Sequence, residues 1–300
     1  MRRYLAIPKI RIHNANAMSS GYTIGFPAMT AWLGAMHALQ RRLRKNGFEE
    51  LLLEKIVISC HECNLQVYKY IYDSNFSIVG MAKPLRKKKK SFDFEPASFI
   101  EEPRCNLDVT ILMELDGYNP DDVDILINSV KSCLHHMRIA GGDIESNNVQ
   151  PIVINDAEYS QFRKKVNQLL MPGVVLVERQ DLFNKFSGKD NLDSLLKALS
   201  VKVSVERNEK NKIVGYKRNK LIENSGWLVP AVVGFKDLTG KMNVANQRDD
   251  SYEHHFVEPL VTLGEFIMPY QCENIDSLMW YYDYDKVNGL YLCRNNYIND

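Results

Sequence analysis

The chain lacks any apolar run long enough to cross a bilayer as a helix. Met1-Arg2-Arg3 is not followed by an apolar segment of signal-peptide length, so a secretory leader is not expected. Cysteine is sparse, with six irregularly spaced residues, which fits reduced thiols in a cytoplasm better than a disulfide framework. Only one C-x-x-C occurs, Cys60 to Cys63, and without a second pair it cannot complete a four-ligand structural zinc site. It lies between strand-like runs, not at the start of a helix, so the setting of a thioredoxin-type dithiol is also missing. His135-His136 and His254-His255 are adjacent pairs whose side chains diverge on any regular element, so neither makes a dyad or metal site. Neither an internal repeat nor a low-complexity tract is present. The expectation is a chain with no cofactor and no metal.

Net charge is nearly absent as well, at +1 overall, but its distribution is uneven. Residues 1–90 hold 16 Lys or Arg against 5 Asp or Glu, whereas residues 249–300 hold 2 against 10. Such a gradient fits a polyanion at the basic end, or basic and acidic parts that face each other in the fold. The 45% hydrophobic and 25% charged content is that of a soluble globular protein, with chain enough for one large domain or two modest ones.

The first 45 residues read as strand, polar loop, glycine turn and helix. Tyr4-Leu5-Ala6-Ile7 is apolar, and Pro8 then limits a central strand. Ile10 and Ile12 alternate with Lys9, Arg11 and His13, giving one apolar and one cationic face. Asn14, Asn16, Ser19, Ser20, Tyr22 and Thr23 make the loop dense in hydrogen-bonding groups. Gly25-Phe26-Pro27 opens a helix with Leu33, Met36, Leu39 and Leu43 at helical spacing. A basic strand face meeting such a loop at a helix N-terminus can bind an anion; an ordinary loop satisfying its own backbone is the alternative.

Pro84-Leu85-Arg86-Lys87-Lys88-Lys89-Lys90 ends in five consecutive cations that cannot pack in a core, with Phe92, Phe94 and Phe99 close behind. The combination suits phosphate contact plus base stacking, and equally a solvated loop or a localisation tag. Asn106 to Leu115 is a strand. A helix from Asn119 or Pro120 runs to the Arg138-Ile139-Ala140-Gly141-Gly142 segment, and Val149 to Ile154 is the next strand. The order of strand, helix, strand, basic insertion, strand, helix, strand is the split β-α-β pattern of a ferredoxin-like domain, the layout of RNA-recognition folds. The fold expected is therefore α+β: a ferredoxin-like head over 1–155 with a basic hairpin or loop inserted at about 74–104, then a β-rich half over 156–300. That half should hold helices at Glu158 to Leu170 and Asn191 to Leu199, and strands at Val174, Val201, Ile213, Gly226 and Val257.

Six motifs then recur in one order along nearly the whole chain. Tyr22-Thr23-Ile24-Gly25-Phe26-Pro27 opens a helix carrying Trp32, Gly34 and His37. Arg138-Ile139-Ala140-Gly141-Gly142 follows, then Pro172-Gly173-Val174-Val175-Leu176-Val177. Gly226-Trp227-Leu228-Val229-Pro230, Leu263-Gly264-Glu265-Phe266 and Gly289-Leu290-Tyr291-Leu292-Cys293 complete the set. Together they resemble the Csy-type tail subunit of type I-F CRISPR surveillance complexes, of the fifth Cas family in the RAMP superfamily. The resemblance implies a non-catalytic RNA-binding subunit that holds the 5′ handle of the CRISPR RNA. It also implies pairing with the large subunit and with the first backbone subunit, and only indirect contact with target DNA. It makes Arg86, Lys87, Lys88, Lys89 and Lys90 the candidate thumb. The candidate head surface is Arg11, His13, Asn14, Asn16, Ser19, Tyr22 and Arg138, with Gly141 and Gly142 as the glycine loop.

Two other functions compete. A metal-independent endoribonuclease of the same superfamily would draw on His13, His37, Tyr22 and Lys9, although His37 sits on a helix beside core positions and is expected to be packed. A protein-docking scaffold would use the basic half without RNA.

Overall fold

The computed structural model describes the chain except for residues 70–76, 79, 82–85, 88–93, 96–99, 146–148, 186–189, 221, 223–224, 241–243, 245–246, 248, 250 and 298–300. Its centre is the 14-residue strand β1 (Arg3–Asn16). β1 does not stop at Pro8. Its pairing with β3 (Arg104–Asp116) jumps from Ile7↔Ile111 to Ile10↔Val109, and Lys9 takes φ 46° in the bulge, where its N–H donates to Thr110 Oγ1. Proline needs no ladder partner at such a bulge. The extra residue also changes parity: Leu5 and Ile7 before it, and Ile10 and Ile12 after it, all enter one core. A second shift, with Asn14 at φ 60°, returns Ala15 to the same core.

β3 pairs on its other edge with β2 (Leu52–Leu65), and β5 (Ile152–Asn155) pairs with β1, so the order is β5-β1-β3-β2 with every neighbour antiparallel. β4 (Gly142–Ile144) adds a short pairing with the far part of β1, at Ile12 and His13, beyond the stretch that β5 occupies. Helices α1 (Met29–Lys45) and α2 (Val123–His135) cover one face through Trp32, Leu33, Met36, Leu126, Val130 and Leu134. Helix α3 (Tyr159–Leu170) covers the other, setting Phe162, Val166 and Leu170 on Tyr4, Ala6, Val57 and Leu112.

The free edge of β2 carries the second half of the chain. β6 (Val174–Glu178) pairs with it at Cys60 and Ser59. The short helices α4 (Gln180–Lys185) and α5 (Asn191–Leu199) follow, then the hairpin of β7 (Val201–Arg207) and β8 (Ile213–Lys220). The long strands β9 (Trp227–Asp237) and β10 (Val257–Ile267) and the pair β11 (Trp280–Asp285) and β12 (Leu290–Asn295) complete the chain. The order β2-β6-β10-β9-β12-β11 returns to β2 through Trp280↔Ile56, closing a ring of six strands. The fully buried Trp280 locks this closure, its indole N–H donating to the Leu176 carbonyl at 2.8 Å. The fold is thus α+β with strands predominant, and no described helix is long and apolar enough to cross a membrane.

Candidate nucleic-acid interface

The far half of β1 brings the expected head residues together in two neighbouring settings. Arg11 and His13 are exposed, as the alternation predicts, but they share a groove with Glu62, Asp108 and Glu145. Arg11 Nε lies 3.8 Å from Asp108, and His13 stands opposite Asp143 in the β1–β4 register. Arg138 is likewise paired, its Nε donating to Asp143 at 2.8 Å. The cationic face of β1 is therefore balanced by carboxylates from neighbouring strands. Periodicity along one strand does not show this. Asn14 works inside the protein: its N–H donates to Asn106 Oδ1, and its own Oδ1 accepts from Gln66.

The second setting is a groove of about 550 Å³ lined by Asn16, Ser19, Pro27, Ala28, Thr30, Ala31, Ala140, Gly141 and Phe235. Asn16 N–H donates to the Ala140 carbonyl at 2.8 Å, which ties the end of β1 to the glycine turn. In that turn Ala140 and Gly141 take φ 49° and 75°, the left-handed pair that a two-residue hairpin wants. Gly141 is exposed at the tip. Gly142 is buried within β4, where a Cβ would stand 2.7 Å from Ile12 Cγ2 and 2.8 Å from the Ala15 backbone. Its missing side chain lets β4 lie against β1. α1 begins at this groove without a side-chain cap on Ala28 and with no acid in its first turn. An amide-lined helix start of that kind favours an anion. Ser19 Oγ donates to the Phe26 carbonyl, Ser20 and Thr23 hydroxyls meet at 2.6 Å, and Tyr22 stands 70% exposed on the loop between them.

The structure adds a feature that reading the chain in order did not isolate. Segments of four of the six motifs meet around one cavity of about 350 Å³, whose lining includes Phe26, Pro27, Val174, Trp227, Pro230 and Phe266. Phe26 stacks on the buried Trp32 at 5.4 Å and meets Phe266 edge-on at 5.6 Å, while Trp227 tilts against Phe266 at 5.3 Å. Glu265 gives its motif a structural purpose. It forms a buried ion pair with Arg179 and accepts the Gly226 N–H, joining the end of β6, the start of β9 and the body of β10. Arg179 also holds Asp181 at 2.9 Å, and that hydrogen bond keeps the Asp181 carboxyl below its usual range. Burial pushes the Glu178 carboxyl up, against the pull of Arg294 at 3.1 Å. The signal for the cavity was the shared glycine and aromatic content of motifs about 200 residues apart.

In the basic insertion, Arg86 and Lys87 form a short ribbon with Phe94 and Glu95, nested inside a pairing of Gly80 and Met81 with Ile100 and Glu101. Lys88, Lys89 and Lys90 lie outside the described residues. The C-x-x-C lies within β2: burial pushes the Cys60 thiol up to about 12, and a hydrogen bond from Cys105 lowers that of Cys63. Among the described residues no cluster of His, Cys, Asp and Glu could hold a metal. His37 is exposed on α1, contrary to the packed position expected, because it lies next to Leu33 but at the outer flank of the buried stripe that Trp32, Met36, Leu39 and Leu43 centre. Among the described residues no hydrogen bond or ion pair joins His13, His37, Tyr22 and Lys9 to one another.

Residues 5–293 match the family model described as CRISPR-associated protein (Cas_Csy2). The chain is also similar to the CRISPR-associated protein Csy2 of Pseudomonas aeruginosa strain UCBPP-PA14, at 27% identity over 96% of this chain and 93% of that protein. A match that runs through β1, the cavity motifs and the closing strands places the chain by its whole fold and not by one segment: it belongs to the Csy2 family of CRISPR-associated proteins, the type I-F family that its ordered motifs resemble.

Proposed function

We propose that the chain is the non-catalytic RNA-holding subunit of a type I-F CRISPR surveillance complex. It grips the 5′ handle of the CRISPR RNA, pairs with the large subunit and the first backbone subunit, and meets target DNA only through them. Its head, over 1–155, is ferredoxin-like: the antiparallel order β5-β1-β3-β2 with α1 and α2 on one face supports this. The β-rich remainder, over 156–300, is a second unit joined to the head through β2. The insertion at about 74–104 is the thumb, and its nested short ribbons fit a hairpin.

The observation that carries the reading is the groove of Asn16, Ser19 and Gly141 at the uncapped start of α1. Amides, hydroxyls and open backbone there suit phosphate and unpaired bases. The balanced pairs of Arg11 with Asp108 and Arg138 with Asp143 can exchange carboxylate for phosphate when RNA arrives. Among the described residues His13, His37, Tyr22 and Lys9 share no hydrogen bond or ion pair, which favours a holding role over a cleaving one.

The test is co-expression with a repeat–spacer RNA and the large subunit, then size exclusion and RNA extraction, with Arg86 to Lys90 replaced by serine in a second preparation. A discrete short RNA should travel with the wild-type protein, its affinity falling steeply with salt. Weaker retention in the variant supports the thumb. Equal retention moves recognition to the groove, and absence of RNA at every salt concentration removes the proposal.

A further inference from the structure

The cavity behind Trp227 adjoins the groove just described, sharing Ser19 and Pro27 with it, but has its own aromatic wall. Its volume of about 350 Å³ falls in the range of about 300–1,000 Å³ usual for small-ligand pockets. Phe26 is held from behind by Trp32, and Phe266 is held by Phe26, so both rings are fixed by packing. Trp227 tilts against Phe266 and is 66% exposed. A large ring anchored along one side at a cavity mouth offers a platform for a second flat ring.

The rest of the lining says what kind of ring. Ser19, Thr23, His61 and Glu62 supply hydroxyls, an imidazole and a carboxylate. Burial disfavours the His61 cation, and Nε2 meets Thr110 Oγ1 at 2.8 Å, while Nδ1 is buried with no hydrogen-bond partner among the described residues. Among the described residues no Lys or Arg lines the cavity, which argues against a phosphate site. A neutral, flat heterocycle with a polar edge matches this mixture.

The approaches to the cavity are suited to a polyanion. Lys220, at the root of the β7–β8 hairpin, donates to the Ser225 and Gly226 carbonyls at 3.2 and 2.6 Å, directly before Trp227. Residues 201–220 carry seven Lys or Arg against two Glu. On the other side, Ser19 and Pro27 line both the cavity and the groove of Asn16 and Gly141. A single strand running from that groove towards the basic hairpin therefore crosses the cavity mouth.

We propose that this cavity takes one unstacked base of the bound single-stranded RNA, with Trp227 stacked on its face and Phe26 and Phe266 beneath it. The proposal rests on the RNA-binding reading above and goes beyond it by naming a base-sized site. The test uses the full chain in its RNA-bound complex, with repeat-derived RNAs each carrying one abasic site or one 2-aminopurine. For the wild type, one position should show strong 2-aminopurine quenching and a loss of about tenfold to a hundredfold when abasic. Trp227→Ala should weaken the intact RNA by a similar factor and become indifferent to that abasic site. Trp227→Phe should keep most of the affinity. Trp227 is exposed, so the fold should survive both changes, which a thermal melt checks.

Trp227→Ala binding intact RNA as tightly as wild type would overturn the inference while leaving RNA binding intact. So would equal weakening of every RNA, abasic or not. If Trp227→Ala instead keeps the RNA but loses a protein subunit on size exclusion, the cavity is a protein dock and the base site falls. Failure of the underlying reading looks different: the wild-type complex then holds no RNA at any salt concentration.

Discussion

β1 and the β7–β8 hairpin are both made of alternating apolar and polar residues, yet they end in opposite environments. In β1, Leu5, Ile7, Ile10, Ile12 and Ala15 are all essentially buried, with two register shifts spent on keeping them on one core. In the hairpin, Val201, Val203, Val205 and Tyr216 share a face by register with Arg218 and Lys220, and all of them are exposed. A two-stranded ribbon with nothing on either face is marginal in water. Alternation therefore identifies a strand in both places, but only the sheet around it decides whether the apolar row is core. β1 belongs to the protein's own stability. The hairpin presents its apolar row outward, as a surface that a partner can cover.

The comparison can be broken by substitutions, the largest effect first. Arg179→Leu leaves Glu265 buried without its cation and should cost about 3–5 kcal/mol in urea unfolding. A loss below about 1 kcal/mol would mean that Glu265 is protonated or hydrated and that the ring does not depend on the pair. Gly142→Ala drives a methyl into Ile12 and the Ala15 backbone and should cost about 1–3 kcal/mol, read in the same assay. Acidification should reveal a smaller term. Asp181 titrates lower in the folded protein than in the unfolded chain, so its contribution is full above the unfolded carboxylate range and lost as pH falls through the folded value. Because Asp181 is half exposed, that contribution is at most about 1 kcal/mol. Asp181→Asn should flatten the stability profile below about pH 4, the unfolded carboxylate range. Val203→Ser should be nearly silent in the isolated chain, within about 0.5 kcal/mol. Hydrogen exchange completes the contrast: hairpin amides should exchange far faster than those of β1, and slow only in the assembled complex.

Much of the element order was legible because it rests on local chemistry. Asn191–Leu199 has the bounds expected of it, and Tyr159–Leu170 begins one residue after the expected start at Glu158. Pro8 was misleading because a bulge supplies what a regular ladder would forbid. Less legible was everything set by distant partners. The ring closes on a single register pair, Trp280 with Ile56, more than 220 residues apart. Nothing beside Arg179 or Glu265 in the chain indicates that the two pair in the interior, 86 residues apart. The cationic face at Arg11 and His13 is real along β1, but the carboxylates that offset it come from β2, β3 and the segment after β4. The groove at Asn16, Ser19 and Gly141 was foreshadowed by the polar loop. The cavity was not, because no one stretch contains more than a fraction of its wall.

β2 is a wall common to both halves: β3 holds one edge, while β6 and β11 hold the other. Among the described residues, β1 and β3 cannot swing against the six-strand ring without tearing ladder hydrogen bonds on β2. A subunit built this way behaves like a set square. Whatever grips the ring also fixes the bearing of the groove at the start of α1, so an assembly can take its angle from this chain without adjusting it.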